Sequence, residues 1–294
     1  MKQVTVLSGK GGTGKTTLVG AFSVFAQKKV IADCDVDAAD LFLILEPMVI
    51  DRGDFSGGRK PRVEEDKCTQ CGICTRLCRF QAIKDGQLDV LECEGCGLCA
   101  LSCPEKAISM EDAFSGEWFI SQTRNGPMVH ARLGIGEENS GKLVAHVRKL
   151  AQTVAEEKGL ELVIIDGPPG IGCPVLSSLA GVDFALIVTE PTAAGIHDLE
   201  RLVKLAQHFN IPSLVCINKY DINTAKTLQI EEYCRQEDLK LVGKIPFDVA
   251  VIKAMVENKT VMEYSCPGVQ DAIRDVWQVV EDALDEKGKS HDKE

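Results

Sequence analysis

The stretch that decides the fold is Ser8-Gly9-Lys10-Gly11-Gly12-Thr13-Gly14-Lys15-Thr16-Thr17. An apolar run at residues 4–7 precedes it, and a segment with helical character, residues 16–27, follows it. A glycine-rich loop between a strand and a helix lets several backbone N–H groups point at one anion, and the helix N-terminus adds its positive end. The sequence therefore predicts a phosphate-binding loop.

Positions within this loop predict separate roles for its side chains. We expect Lys15 to reach the β- and γ-phosphates of ATP and the Thr16 hydroxyl to ligate Mg²⁺. The other predicted contacts to ATP or ADP come from the small residues of the loop, which are Gly9, Gly11, Gly12, Thr13, Gly14 and Thr17.

A second lysine, Lys10, stands five residues before Lys15. The form K-G-G-x-G-K-T-T resembles the deviant phosphate loop of the MinD/ParA class of ATPases, to which the Mrp-type carriers and the nitrogenase iron protein are related. In that family the early lysine contacts the nucleotide of the partner subunit. The resemblance implies that Lys10 neutralises phosphate charge in trans, as an arginine finger does elsewhere, and that the protein forms an ATP-dependent homodimer.

Two apolar runs, residues 30–32 and 162–165, end in aspartates. Open α/β sheets bind ligands where their strands end. Asp166 fits the Walker B position, and we expect it to hold Mg²⁺ directly or through water. The family resemblance implies that Asp35 orients the attacking water and that Asp33 is its switch-region partner. The predicted catalytic set is Lys10, Lys15, Asp35 and Asp166.

A later strand ends in Asn218-Lys219-Tyr220-Asp221, which resembles a base-recognition element. In MinD-like ATPases an asparagine here bonds the adenine, so the resemblance makes Asn218 the candidate. Pro246 and Phe247 are further candidates for lining the base pocket. The alternative is an asparagine that caps the following helix.

The most specific signal is a pair of cysteine runs with the same C-x₂-C-x₂-C-x₃-C spacing, at residues 68–78 and 93–103. The runs repeat at 25 residues, and three further pairs correspond: Gly72 and Gly97, Ala82 and Ala107, Ile83 and Ile108. In the bacterial ferredoxin pattern three thiolates hold one [4Fe–4S] cluster, and the fourth ligand comes from the other half. The predicted ligand sets are Cys68, Cys71, Cys74 and Cys103 for one cluster, and Cys93, Cys96, Cys99 and Cys78 for the other.

Zinc competes for such cysteines, but paired C-x₂-C zinc sites do not repeat in this manner. We therefore predict a two-cluster ferredoxin domain at residues 59–112, inserted after the second strand of an ATPase domain formed by residues 1–58 and 113–285. Residues 51–61, rich in glycine and charge, are interpreted as a linker. Arg79 follows Cys78 where proline follows Cys103, and this cation either raises the cluster potential or points to solvent.

The remainder alternates strands and helices, which predicts an α/β fold with a doubly wound, mostly parallel sheet and a small inserted ferredoxin-like α+β domain. Residues 117–121 and 128–133 are predicted strands. Asn139 or Ser140 is expected to cap a helix that runs to Glu157.

The C-terminal residues 268–285 form a predicted amphipathic helix packed on the core, followed by a disordered tail at residues 286–294. Four isolated cysteines, Cys34, Cys216, Cys234 and Cys266, are expected to be packing residues. Cys173 lies seven residues past Asp166, as a cluster ligand does in the nitrogenase iron protein. That protein has a second cysteine upstream, whereas this chain has none between Cys103 and Cys173. We therefore interpret Cys173 as a small buried cysteine, with a ligand role as the alternative.

The composition bounds the possible partners. The 294-residue chain has a net charge of −11, which argues against nucleic-acid binding. It contains no apolar run of membrane-spanning length and no recognisable signal peptide, so we expect a cytoplasmic protein without a membrane partner. Thirteen cysteines in a reducing compartment favour metal ligands over disulfides.

Three functions remain in competition. The first is ATP-gated electron transfer through the two clusters toward a metalloenzyme or its maturation system. The second is an iron–sulfur cluster scaffold or carrier. The third is a positioning ATPase of the MinD/ParA type. The first two require a redox or metallocluster protein as partner.

Overall fold

The structure is a computed structural model that describes residues 1–84, 86–134 and 140–291, with side chains described as far as residue 287. The strands are β1 (Lys2–Ser8), β2 (Lys29–Asp33), β3 (Met48–Phe55), β4 (Gly58–Val63), β5 (Ile83–Lys84), β6 (Gln87–Leu88), β7 (Ile108–Ala113), β8 (Gly116–Thr123), β9 (Gly126–Leu133), β10 (Leu162–Pro169), β11 (Phe184–Thr189), β12 (Ser213–Asn218) and β13 (Lys240–Ile245).

The α-helices are α1 (Lys15–Phe25), α2 (Leu41–Leu45), α3 (Ile73–Leu77), α4 (Leu98–Leu101), α5 (Ser140–Glu157), α6 (Cys173–Leu179), α7 (Ala193–His208), α8 (Thr224–Gln236), α9 (Val249–Val256) and α10 (Pro267–His291). Short 3₁₀ helices occur at Glu65–Lys67 and Val261–Glu263. Within the described ranges no helix is long and apolar enough to cross a bilayer.

The main sheet has nine strands in the order β13-β12-β11-β1-β10-β2-β9-β8-β3. Every neighbouring pair from β13 to β9 is parallel, and β8 and β3 add antiparallel strands at one edge. The central strands are almost continuous runs of buried Val, Ile and Leu, because helices cover both of their faces. The predicted α/β fold with a mostly parallel sheet is confirmed.

Helices α1, α2 and α10 pack on one face of the sheet, and α5, α6, α7 and α8 pack on the other. The apolar stripe predicted for the C-terminal helix is buried in the first of these layers, where the rings of Trp277 and Phe22 lie 5.0 Å apart. Burying a large apolar side chain contributes about 1.5–3 kcal/mol. The stripe therefore attaches α10 firmly to the main sheet.

The C-terminal helix is longer than predicted. It continues to His291, so the prediction of disorder is wrong for residues 286–291, while residues 292–294 lie outside the described ranges. Lys2 forms an ion pair with Asp285 at 2.7 Å, and Lys287 donates to the carbonyl oxygen of Asp183 at 2.7 Å. These long-range contacts attach the charged end of α10 to the rest of the protein. This end has no apolar stripe from which a helix could be predicted.

The interpretation of residues 51–61 as a linker is wrong. Most of this segment forms β3, which pairs with β8 at the edge of the main sheet, and β4, which pairs with β7. An edge strand exposes one side to water and tolerates the charged residues that suggested a loop. The cysteine-rich segment consequently leaves the main sheet after its third strand in chain order rather than after its second.

Other predictions of local structure are confirmed. Strands β8 and β9 contain the two predicted short strands, and the four isolated cysteines are buried. The helix α5 ends at Glu157 as predicted. Ser140 is its first residue, and the other proposed cap, Asn139, lies outside the described ranges, so the identity of the cap stays a prediction.

Candidate functional site

The phosphate loop connects the central strand β1 to helix α1. Gly12 and Gly14 have φ angles of 76° and 97°, which glycine adopts without the steric cost of a side chain. The hydroxyls of Ser8 and Thr13 donate to the carbonyl oxygen of Lys10 at 2.8 and 3.3 Å and close the loop. No side chain caps α1, so its first N–H groups remain available to an anion.

Strand order decides which side chains surround this loop. The neighbours of β1 are β11 on one side and β10 on the other, with β12 and β2 one strand further away. The ends of β10 and β2 bring Asp166, Asp33 and Asp35 to one side of the loop. The ends of β12 and β13 bring Asn218 and the predicted base-pocket residues to the other side.

Lys15 is 5% exposed, and its Nζ atom lies 3.7 Å from Oδ2 of Asp35. Desolvation raises the pKa of Asp35, and Lys15 acts in the opposite direction. A carboxylate held beside the phosphate lysine has the chemistry to accept a hydrogen bond from a water molecule. The geometry thus brings Lys15 and Asp35 together, and their catalytic roles stay predictions.

Asp166 is 1% exposed, and within the described residues neither of its carboxylate oxygens has a hydrogen-bond partner of good geometry. Burial raises its pKa to about 6, although Lys15 and the Thr16 hydroxyl act to lower it. Asp33, equally buried, has a raised pKa because of burial and the nearby charges of Asp166 and Asp35. Unpaired buried carboxylate oxygens next to a Thr hydroxyl fit a site for Mg²⁺, which prefers oxygen ligands.

Asn218 contacts the phosphate loop directly. Its Nδ2 atom donates to the carbonyl oxygen of Thr13 at 2.8 Å, and its Oδ1 atom accepts the backbone N–H of Lys219 at 3.0 Å. It does not cap α8, whose N-cap is Asn223. Asn218 therefore braces the phosphate loop from the side predicted for the base, and its contact with adenine stays a prediction.

The other loop positions are arranged around the same core. Gly9 lies so close to α7 that a Cβ atom would stand 2.0 Å from Cβ of Asp198. The Thr17 hydroxyl lies 3.9 Å from the sulfur of Met255. Pro246 and Phe247 follow β13, and the Phe247 ring is 43% exposed. The nucleotide contacts expected of these residues stay predictions.

Sequence reasoning missed Glu190 and assigned no separate role to Lys219, and both belong to this site. Oε1 of Glu190 lies 2.5 Å from Nζ of Lys10, and Oε2 lies 3.3 Å from Nζ of Lys219. Lys219 also donates to the carbonyl oxygen of Gly12 at 3.0 Å. Burial would raise the pKa of Glu190, but the two lysines outweigh it and lower that pKa. The available signal was the position of Glu190 directly after a buried strand that neighbours β1.

The cysteine-rich segment extends from β4 to β7. Within the described residues, no three or more His, Cys, Asp or Glu side chains converge as ligands of a single metal ion. The eight cysteines instead line two cavities. Cys68, Cys71, Cys74 and Cys103 line the first, of about 180 Å³, and Cys78, Cys93, Cys96 and Cys99 line the second, of about 20 Å³.

This division follows the ligand sets predicted from the spacing, with the fourth cysteine of each set coming from the other half. A cubane binds each of its thiolates through a different iron, so its ligands surround a volume rather than one point. The donor chemistry therefore fits a [4Fe–4S] cluster at each cavity. The second cavity must widen before it can admit a cluster.

The backbone repeats with the same 25-residue period as the cysteines. Left-handed φ angles occur at Gly72 and Gly97, the N-cap residues of α3 and α4. They also occur at Gln81 and Lys106, each three residues after the last cysteine of its run. The backbone N–H groups of Gly95 and Ala107 lie 3.4 and 3.3 Å from the sulfurs of Cys93 and Cys103, respectively. Donors of this kind stabilise thiolates.

The exposure of Arg79 and of Cys173 can be compared with what the sequence predicted. Arg79 is exposed, which agrees with the solvent-facing alternative. The prediction that Cys173 is buried is wrong, because it is exposed at the start of α6. It packs there against Gly141, where a Cβ atom would lie 3.2 Å from Cβ of Cys173, so the close approach of α5 holds the sulfur at the surface.

A central parallel sheet with a glycine-rich loop, a buried lysine and converging aspartates defines a P-loop nucleotide-binding protein. Residues 4–261 match the CobQ/CobB/MinD/ParA nucleotide binding domain. The chain belongs to this family of nucleotide-binding ATPases, and its enzymatic class is ATP hydrolase.

Three curated relatives illustrate the range of this family. An uncharacterized protein of Methanocaldococcus jannaschii is 32% identical over 96% of this chain and 97% of its own. The septum site-determining protein MinD of Bacillus subtilis is 24% identical over 85% and 78%. The iron-sulfur cluster carrier protein of M. jannaschii is 23% identical over 95% and 84%.

The fold also resembles solved structures. The septum site-determining protein MinD from Pyrococcus horikoshii, complexed with Mg-ADP, superimposes with a TM-score of 0.60 at 18% identity. The match covers 95% of each chain. At this identity the similarity establishes the fold alone.

Proposed function

We propose that this protein is a Mg²⁺-dependent ATPase whose nucleotide-driven homodimerisation gates electron transfer through two [4Fe–4S] clusters toward a metalloenzyme or its maturation system. The observation that carries this proposal is the division of eight cysteines between two cavities, each lined by three cysteines of one run and the last cysteine of the other. That arrangement on a P-loop ATPase links a nucleotide site to redox centres in one chain.

The nucleotide half of the proposal rests on the phosphate loop. Its N–H groups and Lys15 would bind the phosphates, and Thr16 and Asp166 would hold Mg²⁺. Bound Mg²⁺ neutralises charge on the β- and γ-phosphates. Asp35 orients water from its position 3.7 Å from Lys15. Lys10, which is 43% exposed, leaves Glu190 to contact the nucleotide of the partner subunit.

The redox half rests on the short helices of the cysteine-rich segment. Bound [4Fe–4S] clusters carry single electrons. The helix α3 contains Cys74, which lines the first cavity, and its C-cap residue is Cys78, which lines the second. Because a helix rises about 1.5 Å per residue, these two cysteines are separated by only about 6 Å along its axis. This short separation supports the proposed electron exchange between the two cavities.

A chain of contacts connects the two halves. Lys142 of α5 donates to the carbonyl oxygen of Gly57 at 2.7 Å, directly before β4. Ser115, which follows β7, accepts the backbone N–H of Gly57 at 3.1 Å. The residue before Lys142, Gly141, packs on Cys173, which follows the Walker B strand and its glycine-rich end. A nucleotide-dependent movement after Asp166 therefore has a short physical route to the base of the cysteine-rich segment.

Anaerobic reconstitution with iron and sulfide tests the proposal. We expect about eight irons per chain, two cubane signals by EPR spectroscopy, and a dimer by size-exclusion chromatography only with a non-hydrolysable MgATP analogue. The K10A variant should keep its iron and remain a monomer. Bound zinc without a cubane signal would contradict the redox half of the proposal. A protein that stays monomeric with the MgATP analogue would contradict the gating half.

A cluster scaffold or carrier is the second candidate, because Cys173 is exposed and the chain is similar to an iron-sulfur cluster carrier protein. A shared cluster at the dimer seam would need Cys173 from both subunits. The C173S variant separates the two functions. Unchanged iron content and cluster transfer would eliminate the carrier role of Cys173, whereas loss of a dimer-dependent cluster would support it.

A further inference from the structure

The turn at residues 218–221 is fixed to the phosphate loop by side-chain contacts. Asn218 donates to the carbonyl oxygen of Thr13 at 2.8 Å, and Lys219 donates to that of Gly12 at 3.0 Å. A nucleotide with its phosphates in the loop therefore has its nucleoside part near this turn. The end of the turn, Asp221, has no role in the ATPase mechanism proposed above.

The same turn is fixed to the segment that follows β13. The backbone N–H of Tyr220 donates to the carbonyl oxygen of Ile245 at 3.2 Å, and the backbone N–H of Phe247 donates to Oδ1 of Asp221 at 2.8 Å. The exposed Phe247 ring offers an apolar face on which a base can stack. Asp221 and Phe247 thus border one site, between the ends of two neighbouring strands.

Asp221 is held in place but keeps acceptor capacity. An ionised carboxylate only accepts hydrogen bonds and has about four lone-pair sites. The bond from Phe247 orients the group and occupies one of these sites. Asp221 is exposed, so its carboxylate is reachable by a ligand.

The donor pattern of a base determines whether it fits such a carboxylate. Guanine presents two adjacent donors, N1–H and N2–H₂, which one carboxylate accepts together, and charge-assisted bidentate pairs are the strong ones. Adenine presents one donor, N6–H₂, beside the lone pair of N1, which a carboxylate repels. A fixed acidic group at the base site therefore favours guanine.

We infer that Asp221 determines base specificity and that this nucleotide site takes guanine nucleotides as well as adenine nucleotides. The inference rests on the proposed nucleotide site. Asn218 braces the loop for either base, and Asp221 supplies the contact that only guanine completes.

Calorimetric titration of the anaerobically prepared full chain with MgGDP and MgADP tests this inference. We expect the wild type to bind GDP at least as tightly as ADP. The D221A variant should bind GDP at least about tenfold more weakly, because a bidentate charge-assisted contact is lost, while its ADP affinity changes less than about twofold. The matched control D248A removes the N-cap of α9, one residue past Phe247, and should affect both nucleotides equally.

A second variant gives a gain of binding that misfolding cannot imitate. In D221N the amide offers one acceptor and one donor. Xanthine carries a carbonyl oxygen where guanine carries its 2-amino group, so D221N should bind xanthosine diphosphate more tightly than GDP. The wild type should show the opposite order.

Wild-type protein that binds ADP but not GDP would overturn the inference and leave the proposed ATPase site intact. Equal losses of GDP and ADP affinity in D221A would also overturn it, because Asp221 would then have a structural role only. Absence of binding by both nucleotides would contradict the inference and the proposed function together.

Discussion

Nζ of Lys10 lies 2.5 Å from Oε1 of Glu190 within the same subunit. Lys10 is the residue expected to contact the partner's nucleotide, so this ion pair must break before the dimer closes. Glu190 also pairs with Lys219, which binds the phosphate loop at Gly12. One carboxylate therefore restrains both Lys10 and the phosphate loop from which Lys10 projects.

Removing this restraint should favour the dimer. Because Lys10 is 43% exposed, its ion pair is screened by water, and such pairs contribute about 0.2–1 kcal/mol. We expect E190Q to dimerise up to about fivefold more tightly in a non-hydrolysable MgATP analogue, as measured by analytical ultracentrifugation. The control E232Q removes an exposed pair with Arg235 on α8 and should leave dimerisation unchanged. Weaker dimerisation of E190Q would contradict the restraint.

Asp166 should cost stability when Mg²⁺ is removed. Its pKa is raised to about 6, so between its unfolded value of 3.8 and 6 the unfolded chain gives up a proton that the folded chain retains. The stability that depends on the protonated form of Asp166 is therefore fully present below pH 3.8 and is lost as the pH rises through 6. Metal-free D166N should be about 1–3 kcal/mol more stable than the wild type at pH 8, with a smaller difference at pH 5.

Denaturant unfolding with EDTA at both pH values measures this difference. The same D166N protein should lose Mg²⁺-dependent ATP hydrolysis and the stabilisation that Mg²⁺ gives to the wild type. A variant less stable than the wild type at pH 8 would show that Asp166 has a partner that compensates its burial.

Glu263 should give the opposite pH dependence. Arg124 donates to both of its carboxylate oxygens at 2.7 Å and, despite partial burial, helps lower the pKa of Glu263 to about 2. Stability from this pair is present above the unfolded pKa of 4.5 and is lost as the pH falls toward 2. We expect E263Q to lose about 1 kcal/mol at pH 7, since the pair is partly screened. A loss that persists unchanged at pH 3 would contradict this assignment.

The crossed ligand sets make a prediction about pairs of variants. Cys103 lines the same cavity as Cys68, and Cys78 lines the same cavity as Cys93. We expect C68S and C103S to leave one residual cluster with the same EPR spectrum and potential, and C78S and C93S to leave the other. If C103S instead matches C93S, each run holds its own cluster and the crossed assignment is wrong.

Local chemistry explains how much of this structure the sequence could predict. Three features could be predicted because each is recognisable from residues adjacent in the sequence. They are the phosphate loop, the buried strand that leads to Asp166 and the cysteine spacing. The strand β3 and the ion pair of Glu190 with Lys10 depend on segments far apart in the chain. The exposure of Cys173 likewise depends on the close approach of Gly141 from another helix. Such features depend on strand order and on packing between distant segments, which cannot be inferred from a short stretch of sequence.

In the proposed function, nucleotide binding is coupled to the two clusters. An anaerobic redox titration monitored by EPR, with and without a non-hydrolysable MgATP analogue, tests it most directly. We predict a shift of about 60 mV in at least one cluster potential, which for one electron equals about 1.4 kcal/mol of coupling free energy. The K15A variant should show no shift. Identical potentials in wild-type protein with the nucleotide bound would contradict the coupling.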